Sequence, residues 1–157
     1  MLTLEIPGRG RYTFTHLVLD VNGTIAVDGH LVPGVKERLG RLARTLEIVM
    51  ITADTYGRQQ AIDSELEMTA ERVMLGQPEA PQKAELVRRL GAAATVAIGN
   101  GANDVEMLKV AALSIAVLGE EGTSLGAIQA ADVLARSIVD ALDLLLHPRR
   151  LVATLRQ

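Results

Sequence analysis

Short, uninterrupted apolar runs constrain this chain most. HLVLD, LEIVMIT, TVAIG and LSIAVLG recur along it, each cut off by a polar or glycine-containing turn. A run without period-two alternation suits a strand buried on both faces, as in a parallel sheet. Between the runs lie stretches with apolar residues at helical spacing. VKERLGRLAR follows Pro33, a second stretch covers about Tyr56 to Leu66, and KAELVRRLG closes on Gly91, with QPEAP before it read as a loop. NDVEMLKVA and TSLGAIQAA follow, then SIVDALDLLL and HPRRLVATLRQ, with Pro148 placed to open the last helix. A short strand is expected around Arg72 to Leu75 and a final one at ADVLA. Strands alternating with helices imply βαβ units and a mostly parallel sheet with right-handed crossovers. Residues 1–15 differ: LTLEI and RYTFT alternate around Pro-Gly-Arg-Gly and read as a β-hairpin at an edge.

The 157 residues suit one domain, 1–157, with the hairpin as an N-terminal extension and 147–157 as a C-terminal helix. Tyr12, Phe14 and Tyr56 are the only aromatics, so the core must be aliphatic and a base-stacking platform is not expected. The net charge of -3 offers no basic footprint, so no nucleic-acid partner is expected. Without cysteine the chain has no disulfide, thiolate nucleophile or zinc–thiolate site. No apolar stretch approaches the roughly 20 residues of a membrane span, and no secretory pattern opens the chain. The expectation is a cytoplasmic location and no membrane partner.

In open parallel sheets ligands gather beyond the carboxyl ends of the strands. Asp20 stands there, followed by Asn22, Gly23 and Thr24, a turn that allows close approach of a phosphate. Alone, it is equally a strand-to-helix turn with an incidental carboxylate. Thr52 ends the second run and Ala53 and Asp54 follow; a lone Thr there is commonly a cap. Lys83, read as beginning a helix, is by itself an ordinary solvated lysine. After the third run, Gly99-Asn100-Gly101-Ala102-Asn103-Asp104 offers oxygen ligands suited to a hard cation.

Taken together and in this order, these motifs resemble the haloacid dehalogenase (HAD) superfamily of phosphohydrolases and P-type ATPase phosphorylation domains. The four motifs span residues 20 to 104, and the strand-helix alternation fits to about Leu146. DVNGT, ITADTYG, GNGANDVEML and the RRLVATLR tail are most similar to small soluble P-type ATPase-like proteins. The resemblance implies a three-layer α/β/α Rossmann-like fold and an aspartyl-phosphate formed on Asp20. Thr52 and Lys83 would bind phosphoryl oxygens, with Gly23, Thr24, Ala53 and Asp54 lining the substrate site. Magnesium would be held by Asp20, the carbonyl of Asn22, Asn100 and Asp104, with Asn103 supporting.

Two positions depart from the family pattern. Asn22 stands where the phosphatases carry an acid/base Asp, and an amide cannot exchange a proton usefully. Asn100 stands where they carry a third metal carboxylate, which weakens the charge offered to magnesium. The expectation is a phosphohydrolase that is slow or selective for activated phosphates. Asp54 resembles an Asp of the P-type ATPases but is favoured as a helix cap.

With 31 residues between Asp20 and Thr52 and 30 between Thr52 and Lys83, neither gap holds a cap domain of the usual size. A capless site suits a phosphorylated macromolecule, or a small phosphate enclosed with help from another subunit; the hairpin is one candidate lid or interface. His30, in the Val-Asp-Gly-His loop, lies near the expected site mouth and is weighed there as a base against an ordinary loop residue, whereas His16 reads as structural or solvated. Arg149, Arg150 and Arg156 read as a solvated face or an oligomer contact. The rival reading is a phosphate-binding or regulatory module without turnover, and a weaker one an assembly protein. A response-regulator receiver fits the Asp20 turn and the Asn-rich loop less well.

Overall fold

The computed structural model describes all 157 residues. The chain opens with the antiparallel pair β1 (Leu2–Ile6) and β2 (Gly10–Phe14), followed by β3 (His16–Asp20). A small antiparallel hairpin, β4 (Ala26–Val27) and β5 (His30–Leu31), precedes α1 (Val35–Leu42). Then come β6 (Glu47–Thr52), α2 (Gln59–Leu66), β7 (Glu71–Arg72), α3 (Glu79–Leu90) and β8 (Thr95–Gly99). The rest is α4 (Val105–Val110), β9 (Leu113–Val117), α5 (Leu125–Ala130), β10 (Val133–Ala135), α6 (Ile138–Leu146) and α7 (Pro148–Leu155).

Six strands form one sheet in the order β10-β9-β8-β3-β6-β7, and every pairing in it is parallel. From β3 the chain builds outward to β6 and β7, then returns to add β8, β9 and β10 on the other side. The direction reverses between β3 and β8. A crevice opens at such a switch point, beyond the carboxyl ends of the two strands. Asp20 and Asn100 stand at those two ends.

Alternation within each strand sends its side chains to two cores. Leu17 and Leu19 of β3, Met50 of β6 and Ile98 of β8 join the larger core, with α1, α2, α6, α7 and the N-terminal hairpin. Val18, Ile51 and Ala97 face the smaller one, with Leu86 and Val87 of α3, Met107 and Leu108 of α4, and Ala127 of α5. The helix boundaries follow local chemistry. Ser137 accepts the amide of Asp140 to cap α6, Pro148 opens α7, and Gly91 (φ 95°) ends α3.

Several local expectations change. The N-terminal hairpin is a separate two-stranded sheet, not an edge of the main one. Its Leu4, Ile6 and Phe14 are buried in the larger core. The Thr15 amide donates to the Ala94 carbonyl and the Thr15 carbonyl accepts from Glu47, so the hairpin sits at the amino ends of the strands. It therefore lies opposite Asp20 and does not cover the site of its own chain. α2 begins at Gln59 rather than near Tyr56, because Gly57 (φ 64°) turns the chain first. α3 begins at Glu79, inside the segment read as a loop. Pro81 falls in its first turn, where a missing N–H costs nothing. β7 stops at Arg72, because the side-chain amide of Gln82 takes both the N–H and the carbonyl of Met74 (2.7 and 3.2 Å). No helix is long and apolar enough to cross a membrane.

Candidate active site

Asp20 ends the central strand and is 5% exposed. By alternation it falls on the face of Val18, the side covered by α3 and α4. Lys83 comes from α3 and is fully buried, with its Nζ donating to Oδ1 of Asp20 (2.6 Å) and Oδ1 of Asp104 (2.8 Å). Because α3 starts at Glu79, Lys83 lies one turn inside the helix rather than at its beginning. That depth lets the stem cross the small core while the ammonium reaches two carboxylates.

The other oxygen of Asp104 accepts the amides of Asn100 and Gly101, both at 2.9 Å. Asp104 thus staples its own loop. Gly99 is required there, because a Cβ would stand 2.5 Å from Oδ2 of Asp104. The Thr24 hydroxyl lies 2.9 Å from Oδ2 of Asp20 and 3.1 Å from Oδ1 of Asn100, holding the two oxygens toward one point. Asn100 also donates to the Gly122 carbonyl (2.9 Å). Burial raises the carboxyl of Asp20 above its ordinary range, and the nearby Asp104 adds to this; Lys83 and Thr24 offset only part of the rise. For Lys83 burial works against the charge, but Asp20 and Asp104 more than compensate, so it is firmly an ammonium.

Thr52 is buried next to this group. Its hydroxyl oxygen accepts from Asn22 Nδ2 (3.2 Å) and the Asp54 amide (2.9 Å), which leaves its own proton free to donate. Ala53 is half-buried beside it. Asp54 holds a left-handed backbone (φ 52°), and its carboxylate accepts the amide of Gln59, the first residue of α2. Its side chain is thus committed to the cap. The amides of Gly23 and Thr24 are also spent, on Ala26 (2.7 Å) and Val21 (3.1 Å) carbonyls. Gly23 is needed instead for close packing, since a Cβ would stand 2.6 Å from Nδ2 of Asn100.

Asn103 does not reach the central group; it donates to Glu79, one turn before Lys83. Glu79 was not anticipated, and a correct start for α3 would have revealed it as the i−4 neighbour of Lys83. His16 contacts Thr15 and Glu47 at the far end of β3, and His30 is exposed on β5. The largest groove, about 540 Å³, lies between β7 and α3 and holds none of these residues.

The side-chain groups here that could ligate a cation are oxygens only, from Asp20, Asn100 and Asp104. Two carboxylates and one ammonium leave one net negative charge. The chain has no cysteine and neither His16 nor His30 reaches this group, so no soft or borderline ligand is at hand. The set fits a hard, oxygen-seeking cation such as magnesium.

A family model described as haloacid dehalogenase-like hydrolase matches residues 4–112. An uncharacterized protein of Methanocaldococcus jannaschii is 51% identical over 61 residues, 39% of this chain and 66% of that relative's length. Among solved structures, 3-deoxy-D-manno-octulosonate 8-phosphate phosphatase from Moraxella catarrhalis, in complex with magnesium and phosphate, superposes with a TM-score of 0.63. Its identity is 17%, over 91% of this chain and 94% of that one. A zinc-transporting PIB-type ATPase superposes with a TM-score of 0.62 at 25% identity, over 78% of this chain but 20% of that one. The family match covers the Asp20 turn, the Thr52 strand, Lys83 and the Asn100–Asp104 loop, and with it the chain belongs to the haloacid dehalogenase-like hydrolases.

Proposed function

We propose that the chain is a magnesium-dependent phosphohydrolase that works through a phosphoryl group on Asp20. The observation that carries the reading is that Lys83 and Thr24 both donate to Asp20 at the switch point of the sheet and link it to Asp104 and Asn100. In the first step a carboxylate oxygen of Asp20 attacks phosphorus and the bond to the leaving oxygen breaks. Lys83 and the free Thr52 proton hold negative charge as it develops on the phosphoryl oxygens. The leaving oxygen takes its proton from solvent, because Asn22 has none to give. In the second step water attacks phosphorus, the bond to Asp20 breaks, and inorganic phosphate leaves with the carboxylate restored. Magnesium, held by Asp20, the Asn22 carbonyl, Asn100 and Asp104, would supply positive charge at the same oxygens.

Asn22 sets the expected selectivity. General acid–base catalysis is worth about 10²–10⁴-fold, and its absence penalises alkyl phosphates more than activated ones. The test is phosphate release from para-nitrophenyl phosphate and acetyl phosphate with magnesium. Asp20→Asn should reduce turnover by at least about a thousandfold. Asn22→Asp should raise turnover of alkyl phosphates by about 10²-fold or more. Activity that survives Asp20→Asn would remove the nucleophile.

A second reading, a phosphate-binding module without turnover, draws on Asn22 and Asn100 themselves, since both replace proton- or charge-bearing groups. Binding of a phosphate mimic without product release in either variant would favour it.

A further inference from the structure

Two loops meet across the site although the strands that carry them are not neighbours. The Tyr56 hydroxyl, in the loop after β6, donates to the Glu121 carboxylate, in the loop after β9. In the sheet the order is β9-β8-β3-β6, so three strand spacings, about 14 Å, separate the two roots. The strands between them are β3 and β8, whose ends carry Asp20 and Asn100.

The roots are seated on the site itself. A Cβ on Gly119 would stand 2.8 Å from the Gly23 carbonyl, so this loop lies directly on the nucleophile turn. The Gly122 carbonyl accepts from Asn100, and the Ser124 amide donates to the Asn100 carbonyl (2.9 Å). On the other side Arg58 donates to the Gly29 carbonyl (3.1 Å), and a Cβ on Gly29 would meet Arg58 at 2.7 Å and Tyr56 at 3.2 Å. The tip of the β4–β5 hairpin is thereby fastened to the Tyr56 loop. Three loops from three strand ends close on one another. Beneath them Asp20 is 5% exposed and Asn100 7%. Little of either side chain meets solvent in this arrangement.

We propose that Tyr56 and Glu121 form a strap across the mouth, opening to admit a phosphate ester and closing over its outer end. The proposal deepens the phosphohydrolase reading and rests on the same Asp20 site. The strap replaces, within one chain, part of the enclosure that a cap domain provides. The strap is weak enough to open: Tyr56 is 43% exposed, and the pair is reached by water on its outer side.

The test uses the full chain with two readouts. The first is the rate at which a water-soluble carbodiimide labels Asp20, located by mass spectrometry, which needs no turnover. The second is kcat/KM for para-nitrophenyl phosphate. Tyr56→Phe and Glu121→Ala each remove the contact without touching Asp20, Lys83, Thr52 or Asp104. Each should raise Asp20 labelling about three- to tenfold, the effect of one hydrogen bond on an open–closed equilibrium. Glu121→Gln keeps an acceptor oxygen and should label like wild type, whereas loss of charge alone would make it resemble Glu121→Ala. Unaltered labelling in Tyr56→Phe and Glu121→Ala, or equal increases in Glu121→Gln and Glu120→Gln, overturns the strap. Faster labelling with no turnover in any variant keeps the strap and rejects the phosphohydrolase reading. Faster labelling with higher kcat/KM supports both.

Discussion

On one face of the sheet 29 buried apolar residues tie α1, α2, α6, α7 and the N-terminal hairpin into one core. On the other, nine residues beneath α3, α4 and α5 make a cluster less than a third that size. The small side is the one that holds charge. Lys83 rises through it from α3, and Asp104 enters it just before α4. A large apolar core supplies stability roughly in proportion to the area it buries. A buried ion group seldom adds net stability, because desolvation absorbs most of the attraction, yet removing one partner is costly. The difference teaches a division of labour. The thick face holds the sheet in shape, so that the thin face can keep two carboxyl groups and an ammonium out of water at a fixed geometry.

Three measurements press on that division, in falling order of effect. Lys83→Met leaves Asp20 and Asp104 buried side by side without their cation. It should lower unfolding free energy by about 3–5 kcal/mol in a urea titration and abolish turnover as well. A loss below about 1 kcal/mol would mean that the thin face is wetter than its burial suggests. Leu39→Ala, on α1 in the thick core, should cost about 2–5 kcal/mol while leaving turnover per folded molecule unchanged. A large fall in kcat at temperatures where the variant stays folded would join the two faces into one functional unit.

The smallest effect concerns the thick side's own ion pair. Arg38 of α1 donates twice to Asp143 of α6, at 2.8 and 3.1 Å. That bond to Arg38 holds the Asp143 carboxyl below its ordinary value, although partial burial works the other way. A depressed carboxyl stabilises the fold above its unfolded pKa of about 3.9, and the contribution fades as pH falls through the lower folded value. Melting temperature should therefore drop on acidification below about pH 4, and Asp143→Asn should flatten that part of the profile. An unchanged profile in the variant would show that solvent screens the pair completely.

Much of this architecture is written in local patterns. The runs LVLD, EIVMIT, TVAIG and LSIAV are strands because they are apolar on both sides, and both sides are in fact covered. Pro148 and Gly91 mark a helix start and a helix end where their backbone chemistry requires them. The misreadings have equally local causes. Pro81 looked like a breaker because a proline tolerated in a first turn is indistinguishable, in sequence, from one that ends a helix. β4 and β5 have two residues each, too few for alternation to register.

The sequence alone determined the order of buried strands and the placing of Asp20, Thr52 and the Asn100–Asp104 loop at or near their carboxyl ends, because burial periodicity and turn residues are local properties. Only the tertiary structure decided that the amides of Gly23 and Thr24 are spent, that Lys83 is buried between two carboxyl groups, and that Glu79 meets Asn103. It alone brought Tyr56 to Glu121, 65 residues apart, over the ends of β3 and β8. Such pairings depend on how loops from different strands pack against each other. A pattern within one segment says which side of it is dry, but not what will lie there.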